Sequence, residues 1–335
     1  MSILVTGGIG YIGSHTIITL LEEGNDIIAV DNLSNSSLDV LEKIELITRK
    51  KIKFYNSDVR DKSSLRNIFL DNKIDSVIHF AALKSVSESI NSPIEYYDNN
   101  IGSLLSILDI IKEFDVKKFI FSSSATVYDA KNIMPVNEES SIGNTSNPYG
   151  TSKLIAEKIL QDTAISLPHL SIIILRYFNP VGAHPSGLIG ENPKGIPNNL
   201  IPYINQVAAG EIDHLKVYGN DYPTHDGTGI RDYIHVMDLA KGHLVALTEI
   251  GNLGKLSIFN LGTGVGYSVL DIIHTFEKVN SVKIPFRFYP RRSGDIAECW
   301  AEINKSKEVL NWSARYSLED MLKDSWRFQK KLAGL

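Results

Sequence analysis

The segment Ile3-Leu4-Val5-Thr6-Gly7-Gly8-Ile9-Gly10-Tyr11-Ile12-Gly13-Ser14 constrains this chain more than any other. A strand-length apolar run enters a turn with glycines at 7, 10 and 13, and a helical pattern follows at once. Strand, glycine turn and helix in that order build a phosphate cradle. The glycines permit a tight turn, close approach of a pyrophosphate and packing of the helix on the sheet, while the helix N-terminus faces the phosphates. Asp31 ends the next apolar run, 18 residues beyond Gly13, where a carboxylate accepts from both hydroxyls of a ribose. A carboxylate there repels a 2′-phosphate, so the pattern selects NAD over NADP. A glycine turn alone would be a weak signal; strand, helix and Asp31 together give it weight. Asp58, after the third apolar run, either binds the adenine amine or caps its own loop, and spacing alone leaves both readings open.

The first half of the chain repeats the strand–helix alternation. Strands are expected at Ile3–Thr6, Ile27–Asp31, Lys53–Asn56, Ser76–Phe80, Lys118–Ser122 and Ser171–Arg176, mostly continuous Ile/Val/Phe runs of the kind buried on both faces. Helical patterns separate them. Ser14–Glu23 stops at Gly24, Ser92-Pro93 opens a long helix to about Phe114, and Tyr149–Ala164 reads as amphipathic. The expected fold is α/β, a Rossmann-type doubly wound parallel sheet over residues 1–177 with a smaller C-terminal α/β substrate domain over 178–335. Residues 178–235 are rich in Gly, Pro and Asn, interleaved with Tyr, Arg and Asp, which favours binding loops. Helices are expected further on at 236–249, 268–279, 304–311 and 317–331.

Composition narrows the partners. With 34 Lys+Arg against 39 Asp+Glu the net charge is -5, so no nucleic-acid partner is expected, and any phosphate must meet local arginines or backbone N–H groups. The single Cys299 excludes an internal disulfide framework, and the scattered histidines show no metal-ligand spacing, so no metal is expected. No secretory h-region precedes Gly7, and apolar stretches such as Ile172–Leu175 are far too short to span a bilayer. A cytoplasmic protein without a membrane partner is the expectation.

Tyr149 and Lys153 are one helical turn apart, so their side chains share a face. A tyrosine with a pKa of about 10 is a poor base at neutral pH. A nearby ammonium favours the phenolate, as does a positively charged nicotinamide ring. Bringing the pKa to about 7 takes roughly 4 kcal/mol, within reach of one close cation plus NAD+ in a dry site. Ser124, closing Ser122-Ser123-Ser124, is placed to bond the same substrate oxygen. With 14 tyrosines a Tyr-x-x-x-Lys spacing arises easily by chance, so the pair gains weight only from the glycine loop and the serine-rich strand end.

At this point the sequence resembles the extended short-chain dehydrogenase/reductase family, and its nucleotide-sugar epimerases in particular. The resemblance rests on TGGIGYIGS (Thr6–Ser14), SSSATVY (Ser122–Tyr128), YGTSK (Tyr149–Lys153), RYFNPVGAHP (Arg176–Pro185), GIPNNL (Gly195–Leu200) and RDYIHVMDL (Arg231–Leu239), and it covers essentially the whole chain. It implies inversion at C4 of a UDP-hexose, interconverting UDP-glucose and UDP-galactose through a 4-keto sugar with tightly bound NAD. Tyr149 would be the base, Lys153 would lower its pKa and bind the nicotinamide ribose, and Ser124 would assist proton transfer. It also places Gly7, Gly10, Tyr11, Ile12, Gly13, Asp31, Asn35, Asp58, Val59, Phe80, Lys84, Asn99, Ser122 and Phe178 around NAD. Ser124, Asn179, Asn199, Leu200, Tyr218, Arg231, Arg292, Asp295 and Cys299 would meet the UDP-sugar. Guanidinium groups suit a pyrophosphate. The resemblance further implies a homodimer packed through the helices 93–114 and 152–164.

Two positions depart from the family's usual pattern. Asp129 stands where glycine is usual, and aspartate tolerates left-handed geometry better than most residues. Cys299 stands where some members carry a bulky aromatic that rejects N-acetylated sugars, so turnover of UDP-GlcNAc and UDP-GalNAc is expected as well; a protein dedicated to that second pair is the alternative. A nucleotide-sugar 4,6-dehydratase would need Asp-Glu where Ala125 and Thr126 stand, and a non-catalytic NAD-binding relative would commonly lack the tyrosine.

Overall fold

A computed structural model describes residues 1–335 apart from Lys194, Ile196 and Ser293. Ile196, inside the Gly195–Leu200 motif, therefore lies outside the described residues. The chain divides into two compact units. The first comprises Met1–Asp129, Ser141–Tyr177 and Ala240–Phe259, and the second Ala130–Ser140, Phe178–Leu239 and Asn260–Leu335. Relative to a single boundary at 177/178, residues 130–140 and 240–259 change sides.

The first unit is built on strands β1 (Ser2–Thr6), β2 (Asp26–Asp31), β3 (Lys53–Asn56), β4 (Ser76–His79), β5 (Lys118–Ser124) and β6 (Ser171–Tyr177). They pair in parallel in the order β6-β5-β4-β1-β2-β3, and the strand Leu256–Leu261 adds at the β6 edge. The order reverses at β1, flanked by β2 and β4. In open α/β sheets ligands bind beyond the strand C-termini at such a point. Alternate residues feed the two faces. Leu4, Ile28, Val30, Val77, Phe119 and Phe121 face the helices Lys62–Asp71, Pro93–Glu113 and Pro148–Ser166, meeting Leu65, Ile107, Ile111 and Leu160 there. Each such fully buried side chain stabilises by roughly 1.5–3 kcal/mol. Ile3, Val5, Ile27 and Ala29 are also buried, as are Ile17, Ile18 and Leu21 of the first helix, Tyr11–Glu22. That helix stops as expected, with Gly24 at φ +79° just past it.

Three features differ from the sequence expectation. The helix Pro148–Ser166 is not apolar on its buried face, which carries Ser152, Lys153 and Glu157 alongside Ala156 and Leu160. Asp129 does not adopt a positive φ, so its turn makes no demand for glycine. Its N–H donates to Ser141 O (3.0 Å) and its carboxylate accepts from Asn144 Nδ2 (2.6 Å). A short helix at Val86–Asn91, capped by Ser85, precedes the long one.

The second unit centres on the strand Ile230–His235. Asn179–Val181 and Glu298–Cys299 pair with it in parallel and Gly266–Ser268 in antiparallel fashion. A separate two-stranded parallel sheet joins Leu215–Tyr218 to Phe286–Tyr289. The helices Leu200–Ala208, Val269–Asn280 and Leu318–Ala333 share a core of Ile204, Ile273, Phe276, Leu322 and Trp326. Ser268 and Ser317 open the last two with capping boxes, which fix where those helices start.

Candidate active site

The glycine loop closes over the end of β1. Gly7 N–H donates to Val30 O (2.8 Å), and Gly10 N–H donates to Gly7 O (3.2 Å). A Cβ on Gly13 would stand 2.3 Å from Gly7 O, so no other residue fits there. Gly10 caps the helix without a side-chain bond, and no acidic residue lies in the first turn. The first amides of that helix therefore remain for an anion. Asp31 is 8% exposed at the tip of β2. Its Oδ1 accepts from Leu33 N–H (3.0 Å) and Ser36 Oγ (2.7 Å), which orients the carboxylate and leaves Oδ2 for a ribose. These features fit NAD: a cradle with no room for a Cβ, amides for the pyrophosphate and a fixed carboxylate without a basic partner among the described residues.

The other expected cofactor residues follow β2, β3 and β4 in the chain or sit on the helix Pro93–Glu113. Asp58 is held by Arg60 (Nε to Oδ1 3.0 Å, and an ion pair at 2.8 Å) and by Asn32 Nδ2 (3.2 Å). The guanidinium of Arg60 pulls its pKa down to about 2. Val59 is buried, and Lys84 Nζ lies 5.8 Å from the centre of the Tyr11 ring. Phe80, next after β4, packs its ring 4.8 Å from His243. Asn35 is exposed in the loop behind Asp31, and Asn99 is half-buried on the helix Pro93–Glu113. Its neighbour Asn100, not anticipated from sequence, ties Leu83 to Ser152 through its amide (2.8 and 2.9 Å).

Ser124, Tyr149 and Lys153 come together at the end of β5. Ser124 caps the short turn Ala125–Val127, its Oγ accepting from Thr126 N–H (3.2 Å) and Thr126 Oγ1 (3.0 Å). Asn147 opens the Tyr149 helix by accepting from Gly150 N–H (2.9 Å), and Pro148 follows in the first turn. Lys153 is 4% exposed; its Nζ donates to Ser122 O (2.7 Å) and lies 4.8 Å from the Phe121 ring centre and 6.0 Å from that of Tyr149. Burial pushes the Lys153 pKa down to about 7, opposed by the attraction of Glu157. Burial raises the Tyr149 pKa, opposed by the Ser124 bond. The expected lowering of Tyr149 is thus not a property of the chain by itself, because the ammonium is spent on a carbonyl and is itself desolvated.

A buried ion pair lies behind this group, and the sequence reading missed it. Glu157 (0% exposed) accepts from Arg176 Nε (3.1 Å), Arg176 Nη2 (2.8 Å) and Ser123 Oγ (2.5 Å). Arg176 (1% exposed) also donates to Tyr128 OH (3.1 Å). The signal was available: Tyr149, Lys153 and Glu157 recur every four residues on one helix face. Tyr177, in register with Ser124, bonds His243 Nε2.

In the second unit, Arg231 and Cys299 are strand neighbours in register. Arg231 donates to Ile230 O (2.8 Å) and Ile296 O (2.9 Å). Arg292 pairs with Asp295 (2.8 Å) and covers the Tyr218 ring at 5.0 Å. Cys299 is 7% exposed, and burial pushes its thiol up to about 11. Asn179 is exposed and pairs in register with Tyr233. Asn199 precedes the helix Leu200–Ala208 and donates to Glu191 (2.8 Å), with Leu200 the first helical residue. Phe178 is buried. His225, Asp226 and Asp271 place ligand atoms within 4.8 Å of one another, but Asp226 and Asp271 are engaged in bonds to Ser268 and Thr228.

Comparison with known proteins gives one consistent result. Residues 3–262 match the NAD dependent epimerase/dehydratase family. A curated protein of Pasteurella multocida, UDP-glucose 4-epimerase, is 56% identical over 331 residues, covering 99% of this chain and 98% of that protein. The crystal structure of UDP-glucose 4-epimerase from Bifidobacterium longum in complex with NAD+ and UDP superposes with a TM-score of 0.95 at 52% identity, over 99% of this chain and 98% of that one. The enzyme from Stenotrophomonas maltophila, with bound NAD and formylated UDP-arabinopyranose, gives a TM-score of 0.97 at 46% identity over 100% and 99%.

Proposed function

The chain belongs to the NAD-dependent epimerase/dehydratase family, and from that premise we infer that it is a UDP-glucose 4-epimerase interconverting UDP-glucose and UDP-galactose with bound NAD. The observation that carries the mechanism is the convergence of Ser124, Tyr149 and Lys153 at the end of β5, in the same unit as the glycine cradle.

NAD, when bound, supplies a reversible acceptor for the hydride of the sugar C4–H bond. Tyr149 takes the O4 proton as that hydride leaves and gives it back when the hydride returns to the opposite face of the 4-keto sugar. The C4 centre is thereby inverted. Ser124 holds the tyrosine oxygen and the substrate oxygen in one hydrogen-bonded line. Lys153, raised toward its charged form by Glu157, supplies a cation that favours the phenolate once the positive nicotinamide adds to it. Arg231 and Arg292 hold the diphosphate, so the sugar itself is left free to turn over between hydride transfers. The first unit accordingly carries NAD and the second the UDP-sugar. Ala125 and Thr126 form the turn after Ser124 and offer neither acid nor base, which argues against a 4,6-dehydratase.

The finer assignments follow the same reasoning. Cys299 occupies little volume beside Arg231, which supports turnover of UDP-GlcNAc and UDP-GalNAc in addition. Ile94 (83% exposed), Tyr97, Ile101 and Leu105 (46%) recur along one side of the helix Pro93–Glu113, while Ile155 and Ile165 are exposed on Pro148–Ser166. We assign these faces to a second copy of the chain in a homodimer. No described helix is long and apolar enough to cross a membrane, and a lone cysteine suits a reducing compartment, which supports the cytoplasm as its location. The test of the activity is conversion of UDP-galactose to UDP-glucose, read by coupling to a UDP-glucose dehydrogenase. A protein that holds NAD yet forms no UDP-glucose would exclude this reading.

A further inference from the structure

Thr126, two residues past the end of β5, directs both of its donors at one atom. Its N–H donates to Ser124 Oγ (3.2 Å), and its hydroxyl donates to the same oxygen (3.0 Å). The first bond caps the turn Ala125–Val127. The second is not needed for that, since a cap takes one bond and threonine hydroxyls near a turn ordinarily go to backbone groups. Thr126 is also held from behind. Gly150, the residue after Tyr149, is buried, and a Cβ there would stand 3.0 Å from Thr126 O and 3.4 Å from Thr126 Cβ. Thr126 is thus packed between Ser124 and the first turn of the helix that carries Tyr149 and Lys153, all of them in the first unit.

A serine hydroxyl has two acceptor positions and one proton. With both positions filled by Thr126, the Ser124 hydroxyl is left with its proton alone to offer, and its rotation is fixed. That polarity matters for proton transfer. A free hydroxyl can take a proton on one side while passing its own to the other. One whose acceptor positions are filled can only donate. A donated bond also favours a phenolate over a phenol. Ser124 acts on Tyr149 in that sense, lowering its pKa against the effect of burial.

We propose that Thr126 is a positioning residue that fixes Ser124 as a donor to the reacting oxygens. The O4 proton then passes straight to Tyr149, the O4–H bond breaking as the Tyr149 O–H bond forms, while Ser124 keeps its own proton. This rests on the reading of Tyr149 as the base acting on a UDP-hexose. Turnover of UDP-galactose by the NAD-bound protein tests it, measured for Thr126→Val and Thr126→Ser, each alone and combined with Ser124→Ala. Valine keeps the shape and the N–H bond and removes the hydroxyl. The expected result for Thr126→Val is a kcat about tenfold lower, the worth of one hydrogen bond, with KM within about twofold and the melting temperature unchanged. Thr126→Ser, which keeps the hydroxyl, holds kcat within about threefold of wild type. In the Ser124→Ala background Thr126→Val changes kcat by less than about twofold, because its effect runs through Ser124. A kcat for Thr126→Val equal to or above that of wild type overturns the proposal, since a freed acceptor position on Ser124 would then serve the reaction at least as well. So does a loss that persists in full without the Ser124 hydroxyl or that serine does not repair, either of which would give Thr126 a different role. Wild type that holds NAD yet turns over no UDP-galactose overturns the epimerase reading itself, and this proposal with it.

Discussion

Glu157→Gln isolates what the buried ion pair contributes. The substitution keeps the shape of the side chain and leaves an oxygen to accept from Ser123, but it removes the charge opposite Arg176. Arg176 is 1% exposed and cannot lose its proton at any accessible pH. Breaking a buried pair from one side costs about 3–5 kcal/mol, and the bonds a glutamine retains put this case near the lower end, about 3 kcal/mol. Urea unfolding followed by far-ultraviolet circular dichroism reads it directly; Trp300, Trp312 and Trp326 all belong to the second unit, so their fluorescence would not. Glu157 also holds the Lys153 pKa up against burial. Without it the ammonium is lost at lower pH, so the basic limb of kcat/KM moves toward acid. Replacing both partners with Glu157→Leu and Arg176→Met should recover most of the stability, because no orphan charge remains. Its basic limb should stay acid-shifted. A destabilisation under about 1 kcal/mol with an unmoved pH profile would refute the reasoning.

Three further outcomes follow from the same geometry. Lys153 has a folded pKa of about 7 against an ordinary 10.5, so the folded chain carries the burial penalty in full below about pH 7 and sheds it as pH rises toward 10.5. Lys153→Met should therefore stabilise the NAD-free protein by a few kcal/mol near pH 6 and by little near pH 10, and a pH-independent difference in urea unfolding would contradict the burial account. Cys299→Tyr should lower the ratio of UDP-GalNAc to UDP-galactose turnover about tenfold or more by filling the space beside Arg231; an unchanged ratio sinks the steric idea. Leu105→Glu should shift the mass measured by light scattering from two chains toward one, and a mass already that of one chain in wild type would refute the dimer.

The sheet was legible because its strands announce themselves. Runs such as Ile172–Leu175 are buried on both faces and so are apolar at every position. The glycine loop was legible because close packing at Gly13 leaves no alternative residue. The Tyr149–Lys153 pair was legible from spacing alone, but its energetics were not. The Lys153 ammonium spends its bond on Ser122 O, and only the fold shows that. Glu157 and Arg176 look like surface residues until helix and strand are brought together. The second unit was the least legible. Glu298–Cys299 and Asn179–Val181 are two and three residues long, and each finds its partner in Ile230–His235 across tens of residues of chain, so no local pattern marks them as strands. Leu200–Ala208 contains Pro202 and begins in a glycine- and proline-rich run, which concealed a helix. Asp129 draws on no tolerance for left-handed geometry, because its backbone never enters that region.

The central claim is that Tyr149 moves the O4 proton in the epimerisation at C4. Tyr149→Phe, purified with NAD bound and assayed for conversion of UDP-galactose to UDP-glucose, tests it most directly. The account predicts NAD content and UDP affinity close to wild type with kcat lowered about 100-fold or more, the usual contribution of a positioned general base. Full activity in Tyr149→Phe with NAD in place would contradict it.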